Sequence, residues 1–398
     1  MIAAAWMALA LVASLISIRL GVSVALAEIF VGIVAGNFFG LHTNDWIDFL
    51  ATFGSGLLTF LAGAEIDPAS LRRHLKPSLA IGAVSFAAPF LGAFAFAYFV
   101  AHWEIHAAAI AGIALSTTSV AVVYAVMVET GLNATELGKR LLAACFVTDL
   151  GTVLALGLIF ANWNIWLVVF VAVTAVALWY LPRATRWVIA NVGNRVSEPE
   201  IKFIFLVLFF LGGLASTAKS EAVLPAYLVG LVIAGVFVRD KVLVHRMRAI
   251  AFALLTPFYF IKAGLFVSLS VVLAGFGLIV VLLLVKVGFK LVGVWPLTRV
   301  FQMGPRLGNY TTLLMSTGLT FGTISALFGL TNHIIDQAQY TILVTVVIGS
   351  AVVPTMIAQS FFKPTPDDIA DFDRHVLGET AADVEGEDVL SPLPTGEC

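Results

Sequence analysis

The amino-acid sequence predicts an all-α, polytopic membrane protein with about 13 transmembrane helices. Of the 398 residues, 60% are hydrophobic and only 12% are charged, whereas a soluble chain carries about 25% charged residues. Apolar runs long enough to cross a bilayer as helices recur almost to the end of the chain, and each needs about 20 mostly apolar residues. Basic residues collect in alternate loops, which is typical of a chain that crosses the membrane repeatedly.

The predicted spans follow one another with short connections. The first run has no basic segment before it and no small-residue cleavage site, so we interpret it as a membrane helix and not as a signal peptide. The thirteen spans cover approximately residues 2–18, 22–40, 48–65, 77–101, 107–128, 138–161, 164–181, 201–218, 222–238, 249–267, 270–296, 306–329 and 338–361.

The positions of lysine and arginine predict the orientation. Cytoplasmic loops hold the excess of these residues. One set of alternate loops contains Arg19, Arg72, Arg73, Lys76, Lys139, Arg140, Arg183, Arg186, Arg195, Lys202, Arg239, Lys241, Arg246, Arg248, Arg299, Arg306 and Lys363. The other set contains Lys219. We therefore expect the N-terminus outside and the C-terminus in the cytoplasm.

The last part of the chain differs from the rest in composition. Residues 1–363 hold all the predicted spans, whereas residues 364–398 are acidic and poor in aromatic side chains. Such a segment cannot bury enough apolar surface to offset the entropy of ordering. We expect it to be a disordered cytoplasmic tail that follows the membrane domain.

One carboxylate lies at the centre of a predicted span. Asp149 interrupts an apolar run over residues 141–160. A charge at that depth costs about 3 kcal/mol or more, so it is a functional candidate by default. Its candidate partners are Lys286 and Lys290, one helical turn apart in span eleven, and Lys262 in span ten. The alternative for each is a structural ion pair, or a lysine that reaches the interface.

Two segments rich in hydroxyl groups and glycine lie in corresponding halves of the chain. Such segments can leave regular helix at membrane depth where they face a cavity, and a pair of them indicates a transporter site in an inverted repeat. The alternative is that small residues only let helices pack closely. Span five contains Ser116, Thr117, Thr118 and Ser119, and span twelve contains Thr317, Gly318, Thr320, Gly322 and Thr323.

The residues themselves suggest competitive binding of a proton and a hard cation. Burial disfavours a charged carboxylate and a nearby lysine favours it, so Asp149 can hold either ion near working pH. A cation such as Na⁺ would take oxygen ligands from Asp149, the Thr148 hydroxyl and the hydroxyls and carbonyls of residues 116–119. We find no paired catalytic aspartates and no metal-binding motif, so we expect neither an enzyme nor a cofactor. Nucleic acid is not an expected partner.

Several stretches together resemble the cation/proton antiporters of the second large superfamily, which includes sodium/proton and Kef-type potassium/proton antiporters. The order and spacing of these stretches match that family through the whole membrane part. They read LAEIFVGIVAGNFFGL, LTFLAGAEIDPASLRR, ALSTTSVAVVYAVMVETGL, RLLAACFVTDLGTVLALG, TPFYFIKAGLFVSL and KLVGVWPLTRVFQM.

The resemblance implies an inverted-repeat antiporter fold with two crossing broken helices. Panel or dimerisation helices would occupy about 1–65 and 201–267, and core transport helices about 77–181 and 270–361. The family's ion-binding aspartate falls on Asp149. A homodimer in the inner membrane of a bacterium or archaeon is also implied.

The family also implies roles for the residues around this carboxylate. Its basic residue of span eleven falls on Lys290, with Lys286 as the alternative, and its hydroxyls of the unwound helix fall on Thr117 and Thr118. Lys262 would be a second counter-charge or would tune the proton affinity of the site.

The exchange that the resemblance implies is Na⁺ or Li⁺ against H⁺ by alternating access. Electrogenic sodium/proton members carry a second aspartate before the ion-binding one, where this chain has Thr148. We therefore expect an electroneutral 1:1 exchange. The alternatives are a K⁺/H⁺ antiporter of Kef type, a non-transporting sensor, and a cation-coupled solute symporter in a related fold.

Overall fold

A computed structural model describes residues 2–20, 23–64, 75–132, 135–160, 164–193, 195–218, 223–238 and 240–377. Within these ranges the regular structure is helical. The helices are α1 (Ile2–Leu20), α2 (Val24–Phe39), α3 (Asp45–Ala64), α4 (Leu75–Ala95), α5 (Ile105–Ser116), α6 (Val120–Glu129), α7 (Glu136–Ile159), α8 (Ile165–Val192), α9 (Pro199–Thr217), α10 (Val223–Phe237), α11 (Lys241–Ile250), α12 (Thr256–Leu265), α13 (Leu269–Ala274), α14 (Phe276–Val300), α15 (Pro305–Met315), α16 (Thr320–Thr331), α17 (Gln337–Phe361) and α18 (Pro366–Leu377).

The number of membrane-spanning helices agrees with the expectation only in part. Among the described residues, 11 segments are long and apolar enough to cross a membrane, with α5–α6, α11–α12 and α15–α16 each counted as one. The helices α2 and α10 are apolar but shorter, with 16 and 15 residues. The expected number of thirteen therefore depends on these two short helices crossing as well.

Glycines bring two pairs of helices together at backbone distance. A Cβ atom on Gly32 of α2 or on Gly264 of α12 would overlap a carbonyl oxygen of the other helix. Gly63 of α3 and Gly230 of α10 meet in the same way. Small residues at such contacts let helices pack closely where the hydrophobic effect between them is weak. Helix α3 also packs against α12, so the two pairs form one group of four helices, α2, α3, α10 and α12.

A second group of helices surrounds the broken ones. The helix α4 packs against α5, α7 and α14, and α14 packs against α17. Helix α8 differs from the expected grouping, since residues 164–181 were assigned to the core helices. It packs instead against α9 and α10, with Phe170 buried beside Ala215 and Ala218. It also runs to Val192, past Pro182 where the span was expected to end.

The two segments rich in hydroxyl groups are breaks in helices, as expected. The first break separates α5 from α6 at residues 117–119, and the second separates α15 from α16 at residues 316–319. The Ser119 amide donates a hydrogen bond to the Thr317 carbonyl at 3.1 Å, so the two breaks cross each other. Helix α16 packs against α5. The crossing brings four helix ends to one point inside the membrane part.

The expectation of a disordered tail is wrong for residues 366–377, which form the amphipathic helix α18. Its apolar residues Ile369, Phe372 and Val376 recur at helical spacing and pack against one buried cluster, as they do along the buried face of a surface helix. The Phe372 ring lies under the Arg140 guanidinium, 4.9 Å from its centroid. Residues 378–398, like Lys219, Arg72 and Arg73, lie outside the described residues.

Candidate functional site

Asp149 lies at the middle of α7 and is almost completely buried. Its exposed fraction is 1%, and its Oδ1 atom has no hydrogen-bond partner among the described residues. Helix α7 is fixed at its start by Thr135, whose side chain accepts a hydrogen bond from the Gly138 amide at 3.1 Å. A buried carboxylate oxygen without a donor is unfavourable. A proton or a cation at this atom would satisfy it.

The carboxylate faces the crossing of the broken helices. Cys145 is four residues before Asp149 and therefore lies on the same face of α7. The Cys145 sulfur is 3.7 Å from the sulfur of Met315, the last residue of α15. The Met315 carbonyl oxygen in turn accepts a hydrogen bond from Thr118 Oγ1 at 2.8 Å. Asp149 thus sits beside the point where both helices are interrupted.

The hydroxyl groups at the breaks mostly donate to the last carbonyls of their own half-helices. Ser116 donates to Ile113 at 2.8 Å, Thr117 to Ala114 at 3.0 Å and Thr317 to Leu314 at 2.8 Å. These bonds satisfy carbonyls that a helix end leaves without a partner. Since the hydrogen of each hydroxyl is used in this way, the oxygen lone pairs remain able to accept a bond or to hold a cation. Ser119 instead caps α6, where its Oγ accepts from Val122 at 3.3 Å.

Lys290 is held at the first break by two hydroxyl oxygens. Its Nζ donates to Thr118 Oγ1 at 2.9 Å and to Ser85 Oγ of α4 at 2.7 Å. The lysine attracts the Asp149 carboxylate electrostatically, but Asp149 forms no ion pair in the described part of the chain. The two charges therefore compensate each other without direct contact, and the carboxylate stays open to another ligand.

Lys286 lies at the second break, one helical turn from Lys290 along α14. It is fully buried, and its Nζ has no hydrogen-bond partner in the ranges that the structure describes. Gly318 makes room for this ammonium group. A Cβ atom at Gly318 would overlap Lys286 Nζ and would come within 2.9 Å of Thr117 Oγ1 and 3.3 Å of Ser350 Oγ. The crossing therefore contains two lysines in different settings, one bonded and one not.

The remaining residues of the sequence analysis are placed around this group or away from it. The Thr148 hydroxyl lies 3.3 Å from the Gly82 carbonyl of α4 and 3.1 Å from the Ala144 carbonyl, on the side of α7 that packs on α4. Lys262 is not brought to Asp149, because it pairs with Asp48 of α3 at 2.7 Å. Thr317 and Gly318 lie in the break, whereas Thr320, Gly322 and Thr323 lie in the half-helix α16 that follows it.

Three residues of the site did not come out of the sequence analysis. Ser85 bonds Lys290, Ser350 lies beside Gly318, and the Tyr227 hydroxyl of α10 donates to the Phe146 carbonyl at 3.0 Å. Tyr227 also packs edge-on against Phe321 of α16, with the ring centroids 6.3 Å apart. A single serine or tyrosine in an apolar helix carries no signal of its own, so only the packing identifies them.

The chain is similar to known proteins over most of its length. Residues 7–363 match the family described as "Sodium/hydrogen exchanger, transmembrane". The chain is 26% identical over 351 residues to "Probable Na(+)/H(+) antiporter GerT" of Bacillus cereus, with 83% of this chain and 90% of that protein covered. It is 22% identical to "Probable Na(+)/H(+) antiporter 3" of Methanocaldococcus jannaschii, with 85% and 89% covered.

A solved structure shows the same fold. The sodium proton antiporter MjNhaP1 from Methanocaldococcus jannaschii superposes with a TM-score of 0.69, covering 91% of this chain and 98% of that chain at 16% identity. The family match includes every helix from α2 to α17 and both helix breaks. The chain therefore belongs to the transmembrane sodium/hydrogen exchangers, a family of cation/proton antiporters and not of enzymes.

Proposed function

We propose that the protein exchanges Na⁺ or Li⁺ for H⁺, with Asp149 binding cation and proton in competition. The observation that carries the proposal is the buried Oδ1 atom of Asp149, which lacks a hydrogen-bond partner among the described residues beside the helix crossing. The ionised form is unfavourable there unless a cation neutralises it, and the neutral form requires a proton. Binding of one ion therefore displaces the other.

The oxygen atoms near the crossing supply the further ligands of this proposal. Hydroxyl and carbonyl oxygens of residues 116–119 surround the first break. The Ser116 and Thr117 hydroxyl groups donate their hydrogens to carbonyl groups of α5, which leaves their oxygen lone pairs available to a cation. The Thr148 hydroxyl likewise donates to a carbonyl, that of Ala144 or Gly82, so its oxygen also remains able to hold a cation, on the side of α7 that packs on α4. Lys290 offsets part of the carboxylate charge from a distance, and it therefore lowers the affinity of Asp149 for the cation and for the proton alike.

The stoichiometry follows from the number of carboxylates. Thr148 occupies the position before Asp149 where a second carboxylate would allow two protons to bind. One carboxylate holds one Na⁺ or one H⁺, which carry equal charge. We therefore propose an electroneutral 1:1 exchange.

Alternating access would come from movement of the helices around the crossing against the group held together by glycines. We propose panel helices at about 1–65 and 201–267 and core helices at about 77–161 and 270–361, with α8 packed on the panel side. The proposal also includes a homodimer, an external N-terminus, a cytoplasmic C-terminus and the inner membrane of a bacterium or archaeon. Inverted-repeat transporters commonly move one bundle against the other around a fixed site.

The test is an exchange assay in proteoliposomes with an imposed pH gradient. Addition of Na⁺ or Li⁺ should change the lumenal pH with the wild type and not with Asp149→Asn. The matched control is Glu28→Gln in α2, because Glu28 is also 1% exposed with an unpartnered Oε1 in the described part of the chain but lies away from the crossing. It should retain exchange.

The other outcomes separate the alternatives. A response to K⁺ alone would support the Kef-type K⁺/H⁺ exchange. Full exchange in folded Asp149→Asn, or its loss in Glu28→Gln, would overturn the assignment of the site. Absence of a response in a folded wild type would favour a sensor or a cation-coupled symporter. If the stoichiometry is 1:1, a potential-sensitive dye should show no change of membrane potential during exchange.

A further inference from the structure

A cavity of about 920 Å³ opens between the two helix groups. Its walls include Thr52 and Ser55 of α3, Ser216 of α9 and Asn332 beyond α16, together with Tyr259 and Lys262 of α12. The cavity reaches Phe160 and Asn332, which follow the ends of α7 and α16. Helix α7 begins at the face that carries α18, where the Glu136 amide donates to Asp373, and α16 runs from the break inside the membrane part toward the face where α7 ends. The cavity therefore lies at the face opposite α18.

Lys262 is the one lysine, arginine, aspartate or glutamate among the described residues that line this cavity, and His106 is a further titratable group there. Its side chain is 9% exposed, and its Nζ lies 2.7 Å from Asp48 Oδ1. The Asp48 side chain is 42% exposed and sits one turn before Thr52 along α3. The two members of the pair belong to α3 and α12, which pack directly against each other. The pair is thus a fixed feature of one cavity wall.

We propose that Asp48 neutralises Lys262 and so sets the affinity with which cations enter the protein from this face. A free lysine charge on the wall would repel each cation that passes toward the crossing, whereas the paired lysine contributes little. This inference rests on the proposed cation exchange, although the charge of the cavity itself can be measured without transport. It assigns Lys262 to the access route and not to the Asp149 site.

The expected effect follows from Coulomb's law. For a separation of about 10 Å and an effective dielectric constant of about 40, one unit charge changes a cation's local concentration about fourfold. Added salt should reduce the effect, because the Debye length is about 10 Å at 0.1 M ionic strength.

The experiment uses a thiol placed in the cavity. Ser216→Cys is introduced into the full chain with Cys398→Ser, since Cys145 is buried. Modification rates are measured with a cationic and an anionic methanethiosulfonate of similar size. Asp48→Asn should slow the cationic reagent and accelerate the anionic one, each about fourfold. The double variant Asp48→Asn/Lys262→Gln should return both rates to the starting values.

Transport is measured in parallel with the same variants. Asp48→Asn should raise the half-saturating Na⁺ concentration about fourfold when Na⁺ is added at the cavity face, and not when it is added at the α18 face. Glu198→Gln is the control, because Glu198 pairs with Arg246 at 2.9 Å before α9, at the α18 face.

The two readouts separate the two proposals. Unchanged thiol rates in folded Asp48→Asn, or no recovery in the double variant, would overturn the role of the pair. Altered thiol rates in a protein without exchange would leave the pair's role standing and would reject the exchange itself. An equal change of Na⁺ dependence from both faces would also reject the inference.

Discussion

Substitution of Gly318 by alanine tests the geometry of the crossing most directly. The backbone at Gly318 is not in the left-handed region, so only the space for the methyl group matters. The added Cβ would overlap Lys286 Nζ and press on Thr117 Oγ1 and Ser350 Oγ. Moving two or three side chains off their rotamers costs about 0.5–1.5 kcal/mol each. Added to the barrier for exchange, the sum of about 1–4.5 kcal/mol corresponds to a loss of exchange rate of about fivefold to two-thousandfold.

The assay is Na⁺-dependent exchange in proteoliposomes, and the double variant Gly318→Ala/Lys286→Met isolates the clash. If the clash causes the loss, Gly318→Ala should do less harm in the Lys286→Met background than in the wild type. The matched control is Gly349→Ala in α17, where an added Cβ would meet Leu283 at an ordinary 3.5 Å. Exchange by Gly318→Ala equal to that of Gly349→Ala would refute the reasoning.

Three further predictions concern the crossing and the C-terminal helix α18. Lys290→Met removes a charged donor from Thr118 and should lower thermal stability by about 1.5–3 kcal/mol, measured by unfolding in detergent. Phe372→Ala empties a buried aromatic position and should increase hydrogen–deuterium exchange over residues 366–377, while a substitution at an exposed residue of that helix should not. Burial raises the pKa of Asp373 above its usual 3.8. Folding then favours the protonated form, so docking of the helix should weaken as the pH rises through that raised pKa. Asp373→Asn should abolish this weakening at rising pH, with the protection corrected for intrinsic exchange rates. The hydrogen bonds with Thr365 lower the pKa of Asp368, which gives the opposite pH dependence in both proteins. A weakening at rising pH that persists in Asp373→Asn would point to another group.

The helical fold and the two breaks could be predicted because their signals are local. Runs of apolar residues determine which segments can cross, and the hydroxyl-rich stretches after Leu115 and Met315 mark where regular helix ends. The same is true of the central carboxylate. Asp149 stands out because its neighbours along the chain are apolar, which is visible without any knowledge of the packing.

The errors arose where packing or averaging decides the outcome. The seventh span was expected to end near residue 181, but α8 continues through Pro182, with Arg186 donating to the Pro182 carbonyl at 3.0 Å. The acidic composition of residues 364–398 concealed the apolar spacing of Ile369, Phe372 and Val376. Lys262 was expected near the ion site because it is charged and intramembrane, whereas its partner Asp48 is 214 positions away along the chain. Long-range pairing of this kind leaves no local trace in one sequence.

The contacts of Gly32 with Gly264 and of Gly63 with Gly230 determine which helices can move relative to one another. A shift of either helix pair by one residue would bring a side chain against a backbone carbonyl group, so each glycine contact fixes the register of its two helices. The rings of Tyr227 in α10 and Phe321 in α16 are in contact between the glycine-joined helices and the helices of the crossing. A contact between two side chains of this kind does not fix the register of the helices. Relative movement of the two helix groups would therefore take place at the aromatic contact, while the helix pairs joined by glycines would move as rigid units.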